Sequence, residues 1–168
     1  MTMPMKLEGS CRCGAIHFTC QSHAPVPYQL CYCSICRKTA GGGGYAINLG
    51  AIADSLTTDV EPGSIGIYRA MLRDEESGTS HVSSGQRHYC LHCATALWLY
   101  DPQWPELIHP FASAIDSDLP VPPFRTHLML RFKPTWVQAD VGSADLTFDL
   151  YPKESLEQWH RRTGLWVE

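Results

Sequence analysis

No run of the 168 residues is apolar enough to cross a bilayer, and the opening Met1-Thr2-Met3-Pro4-Met5-Lys6 has no apolar stretch that could act as a signal peptide. These absences point to the cytoplasm and away from any membrane. Runs of lysine or arginine are equally missing from a chain of formal net charge −4, which argues against nucleic acid and other polyanions as partners. There is no internal repeat, low-complexity tract or long linker, so residues 1–168 are expected to form a single domain.

Long helix-forming stretches are scarce as well, because twelve prolines and thirteen glycines interrupt the chain at short intervals. That punctuation favours short strands and turns. Ala15–Cys20 alternates, with Ile16, Phe18 and Cys20 on one side and His17 and Thr19 on the other, as a half-buried strand should. Tyr45–Leu49, Ala96–Tyr100 and His127–Phe132 follow the same pattern. Six prolines between Pro102 and Pro123 make residues 101–123 poor material for strand pairing, so loops are expected there. One helix is expected, over Lys153–Thr163: Pro152 can start it, Leu156 and Trp159 share a face, and Gly164 can end it. The expected architecture is mostly β, antiparallel, with a C-terminal helix.

What the chain does have is eight cysteines. Cytosolic thiols stay reduced, so a cluster of them is better suited to metal binding or chemistry than to disulfides. Cys11 and Cys13 lie in Gly9-Ser10-Cys11-Arg12-Cys13-Gly14, and Cys90 and Cys93 in Cys90-Leu91-His92-Cys93, each pair in a tight turn beside an expected strand. Together they supply the four sulfurs that a tetrahedral structural zinc prefers, closing a loop of 76 residues between Cys13 and Cys90. The competing reading is four ordinary buried thiols, or two disulfides.

Cys31, Cys33 and Cys36 place three more thiols within six residues, with no fourth cysteine nearby. Three protein ligands and one exchangeable position distinguish catalytic from structural zinc. A histidine from elsewhere could instead complete this site, and of the eight histidines His88 and His92 lie beside the other knuckle. Cys20, on the apolar side of its strand, is expected to be a core thiol.

A zinc held by three thiolates is a weak Lewis acid and suits thiols better than water, since a coordinated thiol is deprotonated outright. Arg37 and Lys38 follow the last ligand and could hold the carboxylates of a small anionic thiol; a solvated basic turn is the alternative. Gly41-Gly42-Gly43-Gly44 gives backbone that can bend closely around a ligand.

The pattern resembles the glutathione-dependent formaldehyde-activating enzyme family, also called the centromere-protein-V family. The likeness runs through Gly9-Ser10-Cys11-x-Cys13-Gly14-x-Ile16-x-Phe18, Cys31-x-Cys33-Ser34-x-Cys36-Arg37-Lys38, Ser83-Ser84-Gly85, Cys90-x-x-Cys93, His127-Leu128 and Trp136-Val137, over roughly residues 8–138. It implies an Mss4-like zinc-binding β fold. It also assigns Cys11, Cys13, Cys90 and Cys93 to a structural zinc, and Cys31, Cys33 and Cys36 to a catalytic one. The implied activity is a carbon–sulfur lyase reaction, joining glutathione and formaldehyde to S-hydroxymethylglutathione when run in the synthetic direction. One departure stands out: Ala94 occupies a position after the second C-x-x-C where the family usually has glycine, which would permit a positive φ.

Two functions compete on these grounds. One is an enzyme working on a small thiol, glutathione, and a small electrophile, with oligomer formation left open. The other is an Mss4-like binding or chaperone-like module whose two zinc sites are both structural. The coordination of the second site discriminates them.

Overall fold

The computed structural model describes residues 3–168; Met1 and Thr2 of the Met1–Lys6 opening, where no signal peptide is expected, lie outside it. Along the chain, β1 (Met5–Ser10) and β2 (Ile16–Ser22) form a hairpin, β3 (Gln29–Cys31) runs into α1 (Ser34–Thr39), and the short β4 (Ala46–Ile47) and β5 (Ala51–Ile52) follow. Next come β6 (Thr57–Val60), β7 (Ile65–Tyr68), β8 (Met71–Arg73), β9 (Ser80–Val82), β10 (Gln86–Cys90), β11 (Ala96–Tyr100) and β12 (Leu107–Pro110). The chain finishes with β13 (Thr126–Leu128), β14 (Leu146–Thr147) and α2 (Leu156–Thr163). No helix among the described residues is long and apolar enough to cross a membrane.

The molecule is mostly β with a C-terminal helix, as expected. Its sheets are β1-β2-β6, β5-β12-β11-β10-β7, β14-β13-β3-β4 and β8-β9. Pairing is antiparallel except that β13 runs parallel to both β3 and β14. Strands this far apart in sequence are free of the hairpin turn that imposes antiparallel pairing.

The main core lies beneath β2. Ile16, Phe18 and Cys20 point inward as the alternation required, and Phe18 meets Trp98 of β11 edge to face at 5.1 Å. Cys20 is 1% exposed and takes part in neither cysteine group; burial pushes its thiol up to about 12. Cys11 and Cys90 belong to this same core cluster. In β10 the pairing register to β11 shifts between His88 and Tyr89.

Three local expectations need correction. Residues 101–123 are not loop throughout, because β12 pairs with β11 and β5 and ends at Pro110, where the missing N–H does least damage. His127–Phe132 is not one strand: Met129 takes a left-handed φ of 59°, and Leu130–Phe132 turns as 3-10 helix. The helix expected from Lys153 starts at Leu156, because Ser155 and Gln158 form a capping box there, and Gly164 ends it with φ 72°.

Candidate metal centres

Two turns bring the first four cysteines together. After β1 the chain reverses through Cys11–Gly14, with Cys11 N–H donating to Ile16 O at 3.0 Å and Gly14 N–H to Cys11 O at 3.1 Å. After β10 it reverses again, with Ala94 N–H donating to Cys90 O at 2.8 Å and Cys90 N–H to Thr95 O at 2.9 Å. Each turn places a left-handed residue directly after its second cysteine, Gly14 at φ 81° and Ala94 at φ 64°. Arg12 N–H donates to Thr95 Oγ1 at 3.0 Å and ties one turn to the other.

All four Sγ atoms fall within 4.8 Å of one another. Cys11 and Cys13 are 3.5 Å apart and Cys13 and Cys90 3.8 Å, too far for disulfides, whose S–S length is about 2.05 Å. At a Zn–S distance of about 2.3 Å a tetrahedron has edges near 3.8 Å, so the donor set fits zinc. Hydrogen bonds from the Thr95 hydroxyl, the Thr95 N–H and the Cys13 N–H hold the Cys93 thiol down to about 5, close to the ionised form that metal needs.

The second group forms where β3 hands over to α1. Cys31 ends the strand, Cys33 caps the helix by accepting Cys36 N–H at 3.3 Å, and Cys36 sits one turn on, so their three Sγ atoms also lie within 4.8 Å of one another. Cys31 and Cys36 are buried and Cys33 is partly exposed. Hydrogen bonds from the thiols of Cys31 and Cys36, and then from backbone N–H groups, bring Cys33 down to about 2; Cys31 is pushed up by its bonds to Cys33 and Cys36 and by burial. The trio thus favours at least one thiolate even before metal is added.

Among the described residues no histidine or carboxylate ligand atom joins either group. His88 stacks on Trp98 at 5.1 Å, His92 is 3.3 Å from Ser64 Oγ, and His109 is 3.0 Å from Leu49 O. What the trio does have is two nitrogen donors, Arg87 Nη2 at 3.7 Å and Asn48 Nδ2 at 3.9 Å from Cys36 Sγ. The Asn48 Oδ1 atom is buried and has no hydrogen-bond partner. Ala40, Met129 and Phe148 pack around the three cysteines and keep the site apolar. Arg87 and Thr39 also wall an adjoining cavity of about 300 Å³, which reaches Ala94 of the other knuckle.

Behind the trio, Tyr32 shares a buried chain with His127 and Asp145. Tyr32 Oη lies 2.9 Å from His127 Nδ1, and His127 Nε2 lies 3.1 Å from Asp145 Oδ2. Burial alone would raise the Asp145 carboxyl, but hydrogen bonds from the Arg125 and Gly142 N–H groups, from His127 and from the Arg125 guanidinium hold it well below the usual carboxylate range. This network pins β13 to the segment that carries Cys31 and Cys33.

The family model of the glutathione-dependent formaldehyde-activating enzyme matches residues 6–128 of this chain and takes in both cysteine groups. The chain belongs to that family. A Halomonas elongata protein, named provisionally as a glutathione-dependent formaldehyde-activating enzyme, is 56% identical over 161 residues, covering 96% of this chain and 98% of its own. A crystal structure of a Rhodobacter sphaeroides protein aligns at 20% identity with a TM-score of 0.49, over 69% of this chain and 92% of its own, a likeness too loose to locate side chains.

Ala94 departs from the family's usual glycine in residue type only, since the backbone there adopts the left-handed conformation that glycine would take freely. Of the two basic residues beside the trio, Arg37 has its Nε buried without a partner, and exposed Lys38 borders a groove with Gly41. Sequence reasoning missed Arg87 and Asn48, which reach Cys36 from β10 and from the residue after β4 and carry no local signal.

Proposed function

We propose that this protein is a zinc-dependent carbon–sulfur lyase of the formaldehyde-activating type, joining glutathione and formaldehyde, or a similar small electrophile, to S-hydroxymethylglutathione. Family membership supports this, and the observation that carries it is a trio of cysteines which no fourth ligand completes among the described residues. On this reading Cys11, Cys13, Cys90 and Cys93 hold a structural zinc, and Cys31, Cys33 and Cys36 a catalytic one. Reduced, unpaired thiols suit a cytoplasmic setting.

Zinc bound by three thiolates supplies a soft Lewis acid that favours the ionised form of an incoming thiol. In the net reaction a carbon–sulfur bond forms, the carbonyl π bond opens, and the thiol's proton ends on the new hydroxyl. The chain's own residues bind and orient. Arg87 offsets the negative charge gathered at the trio, and Lys38, with Arg37 behind it, offers positive charge for the carboxylates of glutathione. Met129 and Phe148 exclude water, and Asn48 Oδ1 is an acceptor for a hydroxyl proton.

The test is exchange spectroscopy by NMR on a mixture of glutathione and 13C-formaldehyde. Zinc-loaded protein should speed exchange between free and adduct carbon, and Cys33→Ser should not. Exchange at the uncatalysed rate with two equivalents of zinc bound would leave the binding-module reading in front.

A further inference from the structure

A cavity of about 470 Å³ lies away from both cysteine groups and is larger than the one beside the trio. Part of its wall comes from beyond residue 128, where the family model ends: Ser155, Leu156 and Glu157 at the start of α2, and Trp166. That wall is firmly seated. Trp159 of α2 stacks on Tyr28 at 3.7 Å, and Val26 N–H donates to His160 Nε2 at 3.1 Å.

Two imidazoles line the cavity, His23 and His109. Each has Nδ1 against a main-chain carbonyl, of Val167 and Leu49 respectively, and a carbonyl can only accept, so Nδ1 carries the hydrogen. A neutral ring then presents Nε2 as an acceptor, and no partner meets either Nε2 among the described residues. Burial lowers the pKa of His109 and favours that neutral form.

Charge narrows the choice of ligand. No lysine or arginine lines the cavity, and its one carboxylate, Glu157, is held by Arg161 at 2.7 Å. The neighbouring cation, Arg161, is already paired with Glu157, so an anion such as glutathione finds no unpaired counter-charge among the lining residues. Trp166 supplies an aromatic side chain to the lining, stacked on His23 at 4.9 Å and with Arg161 over its ring at 4.3 Å. Ile52 and Leu107 complete an apolar wall.

We propose that this cavity binds a small neutral phenol or aromatic alcohol, its ring against the apolar wall and its hydroxyl donating to His109 Nε2. The size suits such a ligand, since small-molecule sites commonly span about 300–1,000 Å³ with few polar groups.

The test is a ligand-observed NMR titration of the zinc-loaded full chain with p-cresol and with p-xylene, in which a methyl of similar size replaces the hydroxyl donor. p-Cresol should bind saturably and p-xylene roughly tenfold more weakly, as expected when an acceptor loses its partner. His109→Asn keeps a nitrogen for Leu49 O but deletes Nε2, and should remove that preference; Leu107→Trp should fill the space and abolish binding. Cys36→Ser should leave p-cresol affinity unchanged. Absence of saturable binding, equal affinity for the two probes, or loss of binding in Cys36→Ser would each overturn the proposal. Should Leu107→Trp not fold, His109→Asn decides alone.

Discussion

Arg87 and Cys36, 51 residues apart, meet through a guanidinium nitrogen 3.7 Å from the thiol sulfur, which gives the trio a cation from β10 in addition to the basic residues of α1. Arg87→Met keeps the aliphatic stem and removes the charge. Loss of one hydrogen bond to a charged group is about 1.5–3 kcal/mol, so kcat/KM for adduct exchange should fall roughly 10- to 100-fold while the unfolding midpoint barely moves. Wild-type exchange in Arg87→Met would show that this guanidinium is a bystander.

The two cysteine groups should differ in what they hold up. Cys90 is 0% exposed in the main core, and structural zinc contributes on the order of 10 kcal/mol to folding, so Cys90→Ser should lose cooperative unfolding. Cys33 is partly exposed and its group closes only a six-residue loop, so Cys33→Ser should give up one of two zinc equivalents with a small change in midpoint. Metal analysis and thermal melts of both variants check this. Equal collapse of the two would make the second centre a structural one.

Ala94 at φ 64° carries a backbone strain that glycine would not. Left-handed alanine costs about 1–2 kcal/mol, partly offset by glycine's greater freedom when unfolded, so Ala94→Gly should stabilise the protein by about 1 kcal/mol. For a chain of this length that raises Tm by roughly 2–4 °C. A midpoint unchanged or lowered would mean that the Ala94 methyl contributes packing that outweighs the strain.

Asp145 makes stability depend on acid. Its folded pKa lies below its unfolded value of about 3.9, so its contribution is complete above that value and is lost as pH falls through the folded pKa. Asp145→Ala strips the acceptor from His127 and Arg125 and should cost on the order of 3 kcal/mol at pH 7, the range for breaking a buried pair. The difference from wild type should shrink in denaturant titrations below about pH 4. A constant difference between pH 7 and pH 3 would place the acid sensitivity elsewhere.

Much of this was legible in the sequence, and for a physical reason: metal-ligand spacing is local. Cys11/Cys13 and Cys90/Cys93 each form within one turn, and Cys31, Cys33 and Cys36 within one strand–helix junction. Alternation gave β2 its buried face because a half-buried strand has no other way to hide Ile16 and Phe18. What stayed hidden was long-range or too short to have a period. Arg87 and Asn48 reach Cys36 only through tertiary packing, and α1, at six residues, is shorter than any periodic signal. Strand β12 was masked by its prolines, which sit around the pairing positions more than in them.

Strand β10 carries Arg87 toward one centre and Cys90 into the other, with the register shift at His88/Tyr89 between them. Side chains on a strand alternate, so one inserted or deleted residue in this stretch would turn Arg87 to the opposite face while Cys90 stayed fixed by its turn. The three-residue separation is therefore a length constraint that substitutions can leave intact and indels cannot. Drift in this part of the chain should proceed by residue replacement alone, whereas the exposed turn between β8 and β9 is free to change in length.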